Sequence, residues 1–358
     1  MNFDKFRRVL KKIPISVTNN KESLICLDYD FIISGADDLL SCIDSKDQYL
    51  DYKPTVVFPS NKKVKAKLLS VAIDEPFYQL NFNNHFYDRY DLARELFFKQ
   101  SEIKSYVATQ ASHHDFVMLI VVDGLSFLDC LDWDNVTPCL VDTVTTTKNG
   151  FKNIICNGSS LAYELYQRRF QNFVGFSYWE KEQNNELTDE IFRGFSSVCK
   201  FESYSQVIEK LREPFQSKTY FQIVMQGLDG IAHNNRDEPL IDAIVSNIHK
   251  RVQDTVNILS NHNKKGIIFL TSDHGILWKH KSTLIKIPSH SSQQHYHQRY
   301  YDSKILSKDC KCFSIAGGNY SSLRYPFITR TMRPNEWGVH GGISLEESVV
   351  PFVTISVN

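Results

Sequence analysis

The run Phe116-Val-Met-Leu-Ile-Val-Val-Asp-Gly124 decides the fold. Its seven apolar residues, most of them branched, have the length of a strand and fall far short of a membrane span. No polar residue alternates with them, so both faces are buried, as in a parallel sheet covered by helices on each side. Two further segments repeat this form: Tyr220-Phe-Gln-Ile-Val-Met225 and Gly266-Ile-Ile-Phe-Leu-Thr271. Between them, residues 237–261 carry Leu240, Ile241, Ile244, Ile248, Val252, Val256 and Leu259. Steps of this kind describe an amphipathic helix. Strand, helix and strand at this spacing make a βαβ unit and hence a mainly parallel sheet. The chain ends on Ser348-Val-Val-Pro-Phe-Val-Thr-Ile355, a further strand in which Pro351 argues for an edge position or a strand start.

Chemistry gathers where these strands stop. Asp123-Gly124 follows the first, Asp229-Gly-Ile-Ala-His233 the second and Asp273-His274-Gly275 the third. In open parallel sheets, ligands bind at the carboxyl ends of the strands. Each piece has a plain reading when taken alone. Asp-Gly is turn chemistry, Asp-x-x-x-His suits a capped helix with a surface imidazole, and His340 in Trp337-Gly-Val-His-Gly-Gly342 could serve a glycine-rich turn. Together they bring carboxylates and imidazoles to one edge, a donor set suited to zinc or manganese. So many such groups packed together without cations would repel one another or lie unsatisfied.

The remaining sequence narrows the class. Lys plus Arg and Asp plus Glu stand at 41 each, so this is not a chain that coats nucleic acid, and a polyanion would be met locally. A charged start without an apolar run behind it, and no run of 18 apolar residues, predict a cytoplasmic protein with no membrane partner. Eight scattered cysteines form no disulfide framework and read as reduced thiols; Cys310-Lys-Cys312 is weak as a metal pair. His290, His295, His297 and Arg299 could contact a substrate phosphate, although a polar loop is the simpler reading. Lys279, His280, Lys281 and Lys286 fit a basic rim or a solvated surface equally well. Residues 1–108, with short apolar runs and an aromatic-rich segment from Phe77 to Phe98, read as a small accessory α/β region of unassigned role. Residues 109–358 hold the chemistry.

The order Asp123, a threonine near 147, Asp229 with His233, Asp273 with His274, then His340 resembles the alkaline phosphatase superfamily. Two stretches, Val174-Gly-Phe-Ser-Tyr-Trp179 and Val339-His-Gly-Gly-Ile-Ser-Leu-Glu-Glu-Ser-Val-Val-Pro-Phe352, resemble the PglZ domain within it. Over about residues 110–358 the resemblance implies a three-layer α/β/α fold with a mainly parallel central sheet. It implies two divalent cations, zinc or else manganese, one held by Asp229, His233 and His340 and the other by Asp123, Asp273 and His274.

It also implies a hydroxyl nucleophile. The family's Pro-Ser/Thr-x-Thr lead-in is missing, and its register counted back from Gly158 falls on Lys148, one position beyond Thr147. Thr145 and Thr146 therefore stay open beside Thr147, which is favoured because it directly precedes an expected helix with free backbone N–H groups. The activity implied is that of a phosphodiesterase acting on a nucleotide or oligonucleotide through a phospho-threonine, in a bacterial anti-phage system with defence-system protein partners. Alternatives are a phosphomonoesterase or phosphomutase of the same superfamily, and a catalytically idle module that recruits partners in a defence complex.

Overall fold

The three apolar runs fold as strands with nearly the bounds their composition sets. In a computed structural model they are β1 (Phe116–Val122), β5 (Thr219–Met225) and β6 (Gly266–Ser272), each buried at every position. The structure describes residues 24–26, 55–57, 63–65, 83, 86–88, 90–130, 133–156, 160–179, 185–279, 284–287, 297–315 and 318–358. The chain divides into two compact units. One comprises Met1–Lys99, Lys281–Thr331 and Gly342–Leu345; the other comprises Gln100–His280, Met332–Gly341 and Glu346–Asn358.

The second unit is built on one sheet, joined also by β2 (Val136–Leu140), β3 (Asn172–Tyr178), β4 (Ser197–Phe201) and β9 (Val349–Val357). Its strands lie in the order β2-β9-β6-β1-β5-β3-β4. All neighbours from β6 to β4 pair in parallel, and β9 alone runs against its neighbours. The register matters for function. Ser272 pairs with Val122, Val122 with Met225, and Met225 with Tyr178, so four strands end level at one edge.

Helices cover the sheet, among them α1 (Gln100–Gln110), α3 (Leu161–Gln167) and α5 (Tyr204–Arg212). The predicted long helix is α7 (Ile241–Ser260), whose Ile241, Val245, Ile248, Val252 and Leu259 pack into one core with Phe116, Met118, Ile120 and Val122. Burying each such side chain contributes about 1.5–3 kcal/mol. Leu240, expected on its apolar stripe, precedes the helix and is exposed. Residues 229–233 form a separate short helix, α6 (Asp229–His233).

Of the two expectations for Pro351 the edge position is corrected, for it sits in an interior strand, and the strand start holds. It lies near the start of β9 and faces Pro138 of β2, while the ladder to β6 ends at Val353, so no neighbour there requires its missing N–H.

In the first unit, strands Cys310–Ile315 and Gly318–Leu323 pair antiparallel, and Tyr90 meets the Phe313 ring edge-on. The fully buried Arg299 donates from Nη1 to the carbonyls of Arg324 and Phe327.

Among the described residues, no helix is long and apolar enough to cross a membrane.

Candidate metal centre and nucleophile

The level strand ends explain why distant residues meet. Asp123 follows β1 directly and Asp273 follows β6 directly, while Asp229 opens α6 four residues beyond β5. Backbone must pass close here, and glycines permit it. Gly124 takes φ 73°, a conformation that favours glycine, and a β-carbon on it would sit 2.9 Å from the Asp229 nitrogen. A β-carbon on Gly150 would collide with the Asp273 carbonyl.

His340 arrives by another route. Strands β7 (Leu277–Trp278) and β8 (Gly338–Val339) pair antiparallel. The Trp337 N–H donates to the Ala232 carbonyl at 2.7 Å, which docks this segment on α6. His340 Nε2 thereby lies 2.9 Å from His233 Nε2 and 3.2 Å from Asp229 Oδ1, with His233 Nε2 3.1 Å from the same oxygen. These three ligand atoms form one compact group.

A second group joins Asp123, Asp229 and His274 within 4.8 Å, so Asp229 takes part in both. Asp273 stands beside the second group. Its Oδ1 accepts from the N–H groups of Gly124 (3.0 Å) and His274 (2.9 Å). Among the described residues its buried Oδ2 has no hydrogen-bond partner, and it lies 3.5 Å from His274 Nε2.

The imidazoles are oriented from behind. His274 Nδ1 donates to the Gly275 carbonyl at 3.1 Å and His340 Nδ1 to the Thr145 carbonyl at 2.9 Å. A neutral ring held in this way turns its Nε2 lone pair into the site, the habit of metal-binding histidines. Three carboxylates crowd the same volume. Burial pushes Asp123 well above the usual carboxylate range, and Asp229 and Asp273 push it further. Burial would also raise Asp229, but His340 and His233 more than offset it and hold Asp229 low. Burial depresses His274 despite the pull of Asp273. Burial works against the His340 proton too, yet Asp229 keeps it, up to about 9. The unpartnered Asp273 oxygen, the converging lone pairs and the crowded carboxylates suit divalent cations.

Thr147 is the first residue of α2 (Thr147–Phe151), so the helix starts one position earlier than expected and Thr146 is the residue directly before it. Its Oγ1 lies 3.4 Å from Asp123 Oδ1 and 3.2 Å from His274 Nε2. Thr145 is engaged elsewhere: besides its carbonyl contact with His340, its Oγ1 accepts from the Gly341 N–H at 3.0 Å. Thr146 is buried before the helix, and no contact of its hydroxyl with these ligands is seen among the described residues.

Two supporting residues escaped the sequence reading. Gln100 donates from Nε2 to the carbonyls of Ser272 (2.7 Å) and Asp273 (2.8 Å), and Ser272 Oγ donates to the His274 carbonyl at 2.7 Å. Of the other candidates, His297 pairs with Asp302 and stacks on Tyr300, and Arg299 is committed to its own unit's carbonyls. His280, Lys281, His290 and His295 lie outside the described residues. Cys310 and Cys312 belong to no ligand group among the described residues.

Residues 160–355 match the model of the BREX system PglZ alkaline phosphatase-like domain, a span that includes Asp229, His233, Asp273, His274 and His340. No curated protein matches this sequence. Among solved structures, human ectonucleotide pyrophosphatase/phosphodiesterase 5 is similar at TM-score 0.44 and 12% identity, over 66% of this chain and 87% of that one. Phosphonoacetate hydrolase from Sinorhizobium meliloti 1021 is similar at TM-score 0.44 and 12% identity, over 66% and 89%. The periplasmic domain of phosphoethanolamine transferase EptC from Campylobacter jejuni gives 0.39 and 12%, over 68% and 79%.

Proposed function

We propose that this chain, which belongs to the family of the BREX system PglZ alkaline phosphatase-like domain, is a two-metal phosphodiesterase with Thr147 as its nucleophile. One observation carries the reading: the Thr147 hydroxyl faces Asp123 and His274 at the start of a helix, beside the Asp229–His233–His340 group. Asp229, His233 and His340 would hold one cation, and Asp123, Asp273 and His274 the other, with Asp229 near enough to serve both. When bound, such a pair polarises phosphoryl oxygens and lowers the pKa of a bound hydroxyl.

The chain's own residues define the rest. Thr147 Oγ1, whose hydroxyl faces Asp123 Oδ1 and His274 Nε2, gives its proton up to solvent and attacks phosphorus. The ester bond breaks, the leaving alkoxide takes a proton from water to become the alcohol, and a phospho-threonine ester forms. Water then attacks phosphorus, frees Thr147 and completes hydrolysis of diester to monoester and alcohol. Gly275 and Thr145 hold His274 and His340 in the tautomers that keep both lone pairs inward. The family's BREX description supports work within a BREX system; anti-phage defence with proteins of that system as partners, and a nucleotide or oligonucleotide as substrate, are parts of the proposal.

The test is direct. Protein purified without chelator should carry close to two transition-metal ions by elemental analysis. It should hydrolyse bis(p-nitrophenyl) phosphate faster than p-nitrophenyl phosphate, lose turnover on exhaustive chelation and regain it with zinc or manganese. Full turnover after chelation refutes the metal requirement. A preference for the monoester makes the enzyme a phosphomonoesterase, and metal without turnover makes the domain a recruiting module.

A further inference from the structure

Beside the proposed nucleophile opens a cavity of ≈ 280 Å³ whose lining includes Asp123, Thr147 and Asp229. It also includes the apolar Trp179, Leu187, Ile191 and Phe192, with Lys148 as the cation among its lining residues. The fold puts these apolar residues at the reactive edge. Tyr178 pairs with Met225 at the level of the other strand ends, so Trp179 is the first residue past the edge on β3. The following helix, α4 (Asn185–Ile191), brings Leu187 and Ile191. Trp179 Nε1 donates to Ser177 Oγ at 3.1 Å, which ties the indole to its own strand.

We propose that this cavity is a subsite for one planar ring system carried by the phosphate substrate, with Trp179 as its specificity-determining residue and a nucleoside 5′-phosphate moiety as the group that fits. The inference rests on the phosphoesterase reading above and adds to it the place of the base and the residue that selects it. Three features argue for it. An indole fixed by a hydrogen bond offers a ring face at little entropic cost, and base-on-aromatic stacking tolerates any base. A volume at or below the lower end of the about 300–1,000 Å³ usual for small-molecule sites accommodates one base but not a strand of several. Lys148, next to Thr147 in sequence, lines the same cavity and can pair with a phosphate oxygen while the ring lies against Trp179.

The probes are adenosine 5′-monophosphate and ribose 5-phosphate, which differ by the base alone. Each is titrated calorimetrically into zinc-loaded protein. Native protein should bind the nucleotide at least about tenfold more tightly, the scale of one base stacked on one aromatic side chain. In Trp179→Ala that ratio should fall to about two or below, and Trp179→Phe should restore most of it. Lys148→Gln should weaken both probes alike and leave the ratio unchanged. Equal affinity for the two probes in native protein, no binding of either, or a ratio that survives Trp179→Ala would each overturn the subsite. Turnover of bis(p-nitrophenyl) phosphate in the same preparation keeps the two ideas apart. Ring selectivity without turnover sinks the hydrolase and spares the subsite, and turnover without ring selectivity does the reverse.

Discussion

The two groups proposed to hold cations differ in how they meet water. In the Asp229–His233–His340 group the side chains are 18, 36 and 16% exposed, whereas Asp123, Asp273 and His274 stand at 6, 0 and 0%. The open group is rich in imidazole, and its carboxylate is held low by the histidines around it. The closed group is rich in carboxylate, and Asp123 is pushed up by its acidic neighbours. One sheet edge thus offers a group whose proton sits on an imidazole and a group whose proton sits on a crowded carboxylate. The open group suits exchange of ligands with solvent; the closed group suits activation of a hydroxyl, and Thr147 is the hydroxyl beside it.

The largest expected effect follows from that division. Thr147→Ala should lower diester turnover by about a thousandfold or more, on the scale of nucleophile loss in other enzymes, while elemental analysis still finds close to two metals. Thr147→Ser should keep partial turnover. Asp123→Asn should cost about as much as Thr147→Ala, and His233→Asn distinctly less, because only the first touches the closed group. If Thr146→Ala is dead while Thr147→Ala is native-like, the nucleophile is one residue earlier. If the alanine variants at 145, 146 and 147 all turn over normally, no covalent threonine forms, and direct attack by water is the better account.

The second expectation concerns protons in the open group. Metal-free His340 keeps its proton up to about 9, against about 6.5 for an unperturbed imidazole. A folded pKa raised above the unfolded one contributes stability that is fully present below about 6.5 and is lost as pH rises toward 9. The raised Asp123 acts in the same sense, from the unfolded carboxylate value upward, since its folded state also favours the protonated form. Asp229, held low, acts in the opposite sense but only at acid pH, where its stabilisation is lost as it protonates. The melting temperature of chelated protein should therefore fall between pH 6.5 and 9. Zinc-loaded protein should not show that fall, because metal replaces the His340 proton and binds more tightly as pH rises. In domains of 150–250 residues, 1 kcal/mol moves the midpoint by roughly 2–4 °C, well within calorimetric reach. A flat profile for chelated protein would mean that the His340–Asp229 pair does not form without metal.

The contrast also shows what a sequence can reveal. Strands β1, β5 and β6 were legible because burial on both faces demands an unbroken apolar run. Their terminal Asp residues were legible because parallel strands put their carboxyl ends on one edge. Strand β4, half-exposed at the end of the sheet order, carries no such run and gave no signal. The meeting of His340 with His233 depends on the β7–β8 pair and on Trp337 docking to α6, which are tertiary facts with no local pattern. Gln100 was illegible for the same reason: its work is to hold two carbonyls more than 170 residues away.

The smallest effect should come from the residue that ties the two groups together. Thr145 lies two positions before Thr147, and its carbonyl and hydroxyl fix His340 and the Gly341 N–H. Thr145→Val keeps the carbonyl, the bulk and the branching but removes the acceptor, leaving a buried N–H unsatisfied at a cost of about 1–3 kcal/mol. Because the lost contact orients an open-group ligand rather than the nucleophile, zinc affinity should drop by about tenfold at one of the two sites. Turnover at saturating zinc should remain within a few-fold of native. Thr145→Ser, which retains the hydroxyl, should restore the affinity. A Thr145→Val protein whose turnover collapses at any zinc concentration, with metal content intact, would place Thr145 with the nucleophile and erase the separation between the open and closed groups.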